Sequence, residues 1–450
     1  AQLERHGLAV FKDDDSSRGS DESLNCLQSA VDGCGAFVLL VGRDGVRRWI
    51  NAESQVALSR HFGPHDDSER LPIFPILLGD TKPESLPAFL RLFQGTAWDG
   101  DAELPGELVE CIRERRLADV EEAVFEGCPF VGLNAFNVKQ AHLFFGRQQE
   151  TLQALTCFNT RPGTPAVRWL EISGNSGAGK SSLLNAGLLP LIDQGWLYPR
   201  TRIEHWRRIG PMMPGEHPVR MLAEMLTQLA RARGESGVEM DEVSRRLFYG
   251  DDRALADWLR GRKEDDTAFL LAIDQFEELF TFATPEERGC FDRLLAAALD
   301  DDDCPLFVIS TVRADFLDRY EDLPRLTAVR NLRARTWTLP PIGAEGLREI
   351  IGGPARLARL DVSDVREAMV DQARNEPGAL PLVEHALEWL WNKRQDNDLS
   401  GKLFGERGGL AGILSGSADA LLESLGSERD RALELLFRLV NVDPEGRRHT

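Results

Sequence analysis

Apolar and polar positions follow two periods along the 450 residues. Over residues 1–116, short apolar runs trade with stretches at helical spacing. Leu8–Phe11 predicts a short strand. Ser23–Val31, with apolar Leu24, Leu27, Ala30 and Val31, predicts a helix. Ala36–Val41 is continuously apolar, as in a strand buried on both faces. Trp49–His61 returns to the helical period, Leu71–Leu78 reads as a strand broken by prolines, and Leu86–Phe93 as a short helix. Thr96–Trp98 then predicts a strand and Glu107–Arg116 a helix. Such alternation predicts an α/β fold with a parallel sheet, flavodoxin-like in class.

Residues 117–130 are charged and read as a linker. A second α/β region follows. Its apolar runs Val167–Ile172, Phe269–Ile273 and Pro305–Val312 predict buried strands. From about Leu339 the period turns helical, and Asp419–Asn441 predicts one more helix. The domain plan is thus 1–116, linker 117–130, an α/β domain 131–335, a helical domain 336–435 and a final segment 436–450. The chain opens within what reads as the end of a helix and stops soon after another, so both ends are expected to be cut.

Composition narrows the partners. The formal charge is −20, and a body this acidic disfavours nucleic acid. Seven cysteines, an odd number with no CxxC pair, fit reduced thiols in a cytoplasmic protein better than a disulfide framework. No apolar stretch approaches the ~20 residues of a membrane span.

The sharpest chemistry lies at Gly174-Asn-Ser-Gly-Ala-Gly179-Lys180-Ser181, which fits GxxxxGK[ST] between an apolar strand and an apolar helix. Gly174, Gly177 and Gly179 permit the dihedrals that turn backbone N–H groups toward phosphates. Lys180 reaches the β- and γ-phosphates, the Ser181 hydroxyl suits Mg²⁺, and Ser182 continues the cradle. A phosphate cradle of this kind calls for an acidic strand end, and Phe269–Asp274 supplies one. Asp274 is the second Mg²⁺ candidate, and Glu277 or Glu278 the candidate for orienting a water. Arg313, at the end of a third strand, either senses the γ-phosphate or forms a surface ion pair.

In order, "CPFVGLNAFNVKQAHLFFGRQQE", this loop, "LLAIDQFEELFT", "VISTVRADFL" and "GALPLVEHAL" resemble the novel STAND class of signal-transduction NTPases. That class is related to the NTPases of apoptotic and plant immune receptors. The resemblance spans Cys128 to Asn441. It implies ATP and Mg²⁺ as cofactors, Phe145-Gly146-Arg147 near the adenine and ribose, and Pro381 packed on the base. It also makes the tail the start of a winged-helix region.

Residues 1–116 resemble a TIR domain through "HGLAVFKDDDSSRGSDE", "SAVDGCGAFVLLVG", "RRWINAESQVAL" and "RLPIFPILLGD", with the first strand and helix of that family mostly missing. The resemblance implies a NAD⁺-cleaving site with Glu53 catalytic and Trp49 beside the substrate; Lys12 and Asp13 either touch ligand or a neighbouring TIR domain, or belong to a plain solvated loop. On a helix Glu53 shares a face with Trp49, Val56 and Ala57, which partly desolvates its carboxylate. Together these imply an ATP-controlled switch that self-associates and activates NAD⁺ hydrolysis in bacterial antiphage defence, triggered by a phage component. The alternative is a signalling scaffold in which the TIR region recruits partners and Glu53 is structural.

Overall fold

The computed structural model describes residues 2–10, 34–42, 57, 61, 71–82, 86, 90, 95–100, 102–114, 124–160, 166–374, 376, 378–439, 441, 442, 448 and 449. Contacts divide the chain into two units, Ala1–Ala123 with Ala135–Pro341, and Val124–Asn134 with Ile342–Thr450.

Near the N-terminus, β1 (Phe37–Val41), β2 (Ile73–Leu78) and β3 (Thr96–Trp98) form a parallel sheet in that order. Helix Gly106–Glu114 buries Leu108, Val109, Cys111 and Ile112 in one cluster with Phe74 and Ile76 of β2. Two expectations change. Leu8–Val10 forms no strand; Leu8 packs against this cluster from an irregular segment. Pro75 does not break β2, which pairs with β1 along Phe37↔Ile73 to Val41↔Leu77. Pairing with β3 begins only at Ile76, so no ladder on that side is asked of the missing N–H. The expected helix Ser23–Val31 lies outside the described residues. Of Trp49–His61 only Ala57 and His61 are described, both helical.

The larger sheet holds β4 (Trp169–Gly174), β5 (His205–Met212), β6 (Thr267–Ile273), β7 (Leu306–Arg313) and β8 (Ala334–Thr338). Its order is β5-β6-β7-β4-β8, and every neighbouring pair is parallel. The three central strands are those the apolar runs predict. Side chains alternate between two cores. Leu170 and Ile172 join Leu183, Leu188 and Trp196, while Trp169 joins Leu222, Phe276 and Leu294. Glu171, fully buried on β4, is paired with Arg330 and accepts a hydrogen bond from Thr336 Oγ1 at 2.8 Å. The helical run after the cradle is α-helical over Lys180–Ser182, π-helical over Leu183–Leu188 and α-helical again over Leu189–Asp193.

The second unit packs helices Ala344–Leu357, Ser363–Ala373, Leu380–Lys393, Gly401–Glu406 and Gly409–Ser424 around Ile351, Met369, Val383, Leu387 and Phe404. The helix expected over Asp419–Asn441 is interrupted. A 3₁₀ turn at Gly426–Glu428, where Gly426 sits at φ +52°, separates Gly409–Ser424 from Arg429–Leu439. Beyond it, Asn441–Val442 and Arg448–His449 pair antiparallel. Among the described residues no helix is long and apolar enough to cross a membrane.

Candidate nucleotide-binding site

Ligands of open parallel sheets bind outside the carboxyl ends of the strands. The candidate residues gather at that end of β4, β6 and β7. The loop leaving β4 turns through Gly177 (φ +71°) and Gly179 (φ +90°), left-handed conformations that favour glycine. Helical geometry starts at Lys180. The Lys180 ammonium, only 8% exposed, donates to the carbonyl oxygens of Gly174 and Asn175, each at 2.9 Å. Burial lowers its pKa; the carboxylates of Glu277 and Asp274 act in the opposite direction.

Asp274 follows the last residue of β6 and is buried. Its Oδ1 accepts from Ser181 Oγ at 2.9 Å, Thr311 Oγ1 at 2.6 Å and the Gln275 N–H at 3.1 Å. The Gln275 N–H also donates to Thr311 Oγ1 at 2.9 Å. These bonds hold Gln275 at φ +54°, a conformation that costs a non-glycine residue about 1–2 kcal/mol. A serine hydroxyl and an aspartate carboxylate meeting this closely are hard oxygen donors of the kind Mg²⁺ takes. The residues present therefore fit that ion.

The two neighbouring glutamates, inseparable in sequence, part in space. Glu277 accepts the Arg313 N–H at 3.2 Å, and burial pushes its carboxyl upward against the pull of backbone N–H groups and Lys180. Glu278 instead accepts the Gly215 N–H at 3.0 Å, in the loop after β5. The Arg313 guanidinium grips Asp315 with bonds of 3.1 and 2.7 Å, which raises its own pKa and lowers that of Asp315.

Arg147, buried ahead of helix Gln148–Leu155, reaches the cradle. It donates to Glu150 at 2.6 Å, to the Pro340 carbonyl at 2.9 Å and to the Ala178 carbonyl at 3.3 Å. Ser182 Oγ accepts the Phe136 N–H at 3.2 Å, so residues upstream of β4 brace the loop from two sides. Pro381 opens helix Leu380–Lys393 of the second unit, after Gly378 at φ +77°. Glu53, Trp49, Lys12 and Asp13 lie outside the described residues.

Lys180, Ser181, Asp274, Glu277 and Arg313 thus share one site. Thr311 belongs to it as well and was not read from sequence. Its signal was there: Ser310-Thr311 interrupts an otherwise apolar strand whose burial is complete at both positions.

The model of the novel STAND NTPase 1 family matches residues 129–450 of this chain, well over half its length. The chain belongs to the novel STAND NTPase 1 family. As a member it is a P-loop NTPase, and its cradle, its acidic strand end and the helices from Ala344 onward all fall inside the matched residues. Among solved structures it is similar to the Walker-type ATPase of Pyrococcus abyssi, at 15% identity and a TM-score of 0.37 over 68% of this chain and 81% of that one. So distant a likeness adds nothing to the family assignment. No curated protein matches the chain.

Proposed function

We propose that this STAND NTPase is an ATP- and Mg²⁺-dependent switch whose N-terminal region is a TIR-type NAD⁺ hydrolase. The observation that carries the switch is the convergence of Lys180, Ser181, Asp274 and Glu277 at the carboxyl end of the central strands, with Lys180 held by carbonyls of its own loop. Lys180 would exchange those two carbonyls for phosphate oxygens. Ser181 and Asp274 would hold Mg²⁺, which when bound neutralises charge on the phosphates. Glu277, partly desolvated and 3.2 Å from a backbone donor at Arg313, would orient a water. Arg313 would leave Asp315 to meet the γ-phosphate, and Pro381 and Arg147 would serve the base side.

A switch works only if ATP binds one arrangement of the chain more tightly than another. In this reading the favoured arrangement self-associates and brings N-terminal regions together. Glu53 then stabilises the positive charge that builds on the ribose as nicotinamide leaves. The setting would be cytoplasmic antiphage defence, with a phage component as trigger. The resemblance of residues 1–116 to TIR domains supports this half of the proposal.

The test is nicotinamide release from NAD⁺ with ATP and Mg²⁺, for the unmodified chain, Glu53→Gln and Lys180→Ala. Release by the unmodified chain alone is expected. If release stays absent even when the chain is fused to an oligomer, the hydrolase reading fails. If release persists in Glu53→Gln, that residue's role fails.

A further inference from the structure

The chain passes from its N-terminal region into the nucleotide-binding residues through Val124–Asn134, yet these eleven residues belong to the helical unit. Phe130 is 4% exposed within the helical core, with Phe125 and Cys128 packed at its margin. The Phe125 N–H donates to the Leu357 carbonyl at 2.8 Å. The Val131 N–H donates to Glu384 Oε2 at 3.2 Å. Gly132 stands at φ +63°, a conformation that favours glycine, and a Cβ there would lie 2.0 Å from Glu388 Oε2, so the second carboxylate sits directly over this position. Glu384 and Glu388 are one helical turn apart on Leu380–Lys393 and both face this strap.

The chemistry of the grip is odd for a permanent attachment. A buried acid answered by one backbone N–H is expensive, and an apolar side chain of similar volume often serves stability better. Burial, and after it the charge of Glu388, disfavours the ionised form of Glu384 against the pull of the Val131 N–H, and burial raises the Cys128 thiol nearby.

We propose that Val124–Asn134 is a releasable clasp, held on the helical unit by Glu384 and Gly132, that controls how tightly the helical unit is held to the chain on either side of the strap. Held, the segment adds no reach. Freed, its eleven residues extend by up to about 40 Å, at 3.3–3.6 Å per residue, and the helical unit gains that slack on the flanking chain. The clasp itself rests on neither the ATP nor the NAD⁺ reading.

Hydrogen exchange on the full-length chain without nucleotide tests it. Peptides over 124–134 should be protected in the unmodified chain. Glu384→Ala and Gly132→Ala should each speed their exchange by about tenfold or more, with residues 344–373 unchanged. Glu384→Gln, which keeps an oxygen acceptor for the Val131 N–H, should retain protection. Three results would overturn the clasp: free exchange of the strap in the unmodified chain, no change in either variant, or residues 344–373 opening in step with the strap. The last would make the strap ordinary core.

Discussion

Thr311→Val removes a hydroxyl from the site and almost no volume. Thr311 is fully buried, donates to Asp274 Oδ1 at 2.6 Å and accepts the Gln275 N–H at 2.9 Å. A hydrogen bond to a charged group is worth about 1.5–3 kcal/mol and a neutral one about 0.5–1.5. The Gln275 N–H keeps Asp274 Oδ1 at 3.1 Å, so the second loss is the smaller. The valine variant should lose about 2–4 kcal/mol in all. Thr311→Ser keeps the hydroxyl and gives up one buried methyl, about 1 kcal/mol. In a domain of this class each kcal/mol moves the transition by about 2–4 °C. The valine variant should therefore melt about 4–16 °C lower, and serine about 2–4 °C lower. Binding of a fluorescent ATP analogue with Mg²⁺ and with EDTA gives a second readout. Valine should lose most of the Mg²⁺-dependent gain in affinity; serine should keep it. If valine proves as stable as serine and retains the Mg²⁺ gain, Thr311 does not position Asp274.

Glu277→Gln should leave nucleotide binding intact and slow hydrolysis by about 10²-fold or more, whereas Glu278→Gln should cost little beyond its bond to Gly215; single-turnover kinetics distinguish them. Gly187→Ala places a Cβ 2.8 Å from Thr151 Oγ1 and 3.2 Å from the Phe144 ring. Thr151 is already tied to the Arg147 carbonyl at 2.7 Å, so the clash should cost about 1–3 kcal/mol in thermal unfolding. Burial and the Glu388 charge raise the Glu384 carboxyl from 4.5 to about 8, with Cys128 of the strap facing the same carboxyls and Arg394 beside Cys128. The folded chain keeps a proton that the unfolded chain releases. Helical-unit stability should be full below about pH 4.5, fall by at most about 1.4 kcal/mol per pH unit up to about 8, and level off above. Denaturant titrations across this range should show the slope, and Glu384→Gln should flatten it.

The parts of this protein that speak in sequence are those where one residue type is required. The cradle is legible because its glycines and lysine have fixed spacing. Strand β6 is legible because its run is continuously apolar, and β4 and β7 because apolar residues outnumber the buried Glu171 and Ser310-Thr311 that interrupt them. The edge strands β5 and β8 escape notice: His205-Trp-Arg-Arg and Ala334-Arg-Thr-Trp-Thr leave one face to solvent and mix charge with aromatics. Adjacent glutamates at 277 and 278 carry no sequence mark of direction; only the turn after Asp274 sends one inward. The strap was hidden for another reason. A short segment with charge on one side reads as a linker, and its attachment depends on a helix far downstream.

That separation also bears on how the protein is made. Val131 and Glu384 are 253 residues apart. At ~5–20 residues per second of synthesis, the strap waits about 13–50 s before its helix exists. The intervening sheet can close meanwhile, from strands already in hand. Bringing so distant a pair together costs little more than a shorter loop would, since the entropy grows only with the logarithm of length. What it imposes is an order of events: Phe130 stays without its core until the helical unit is made, so docking of the strap comes last.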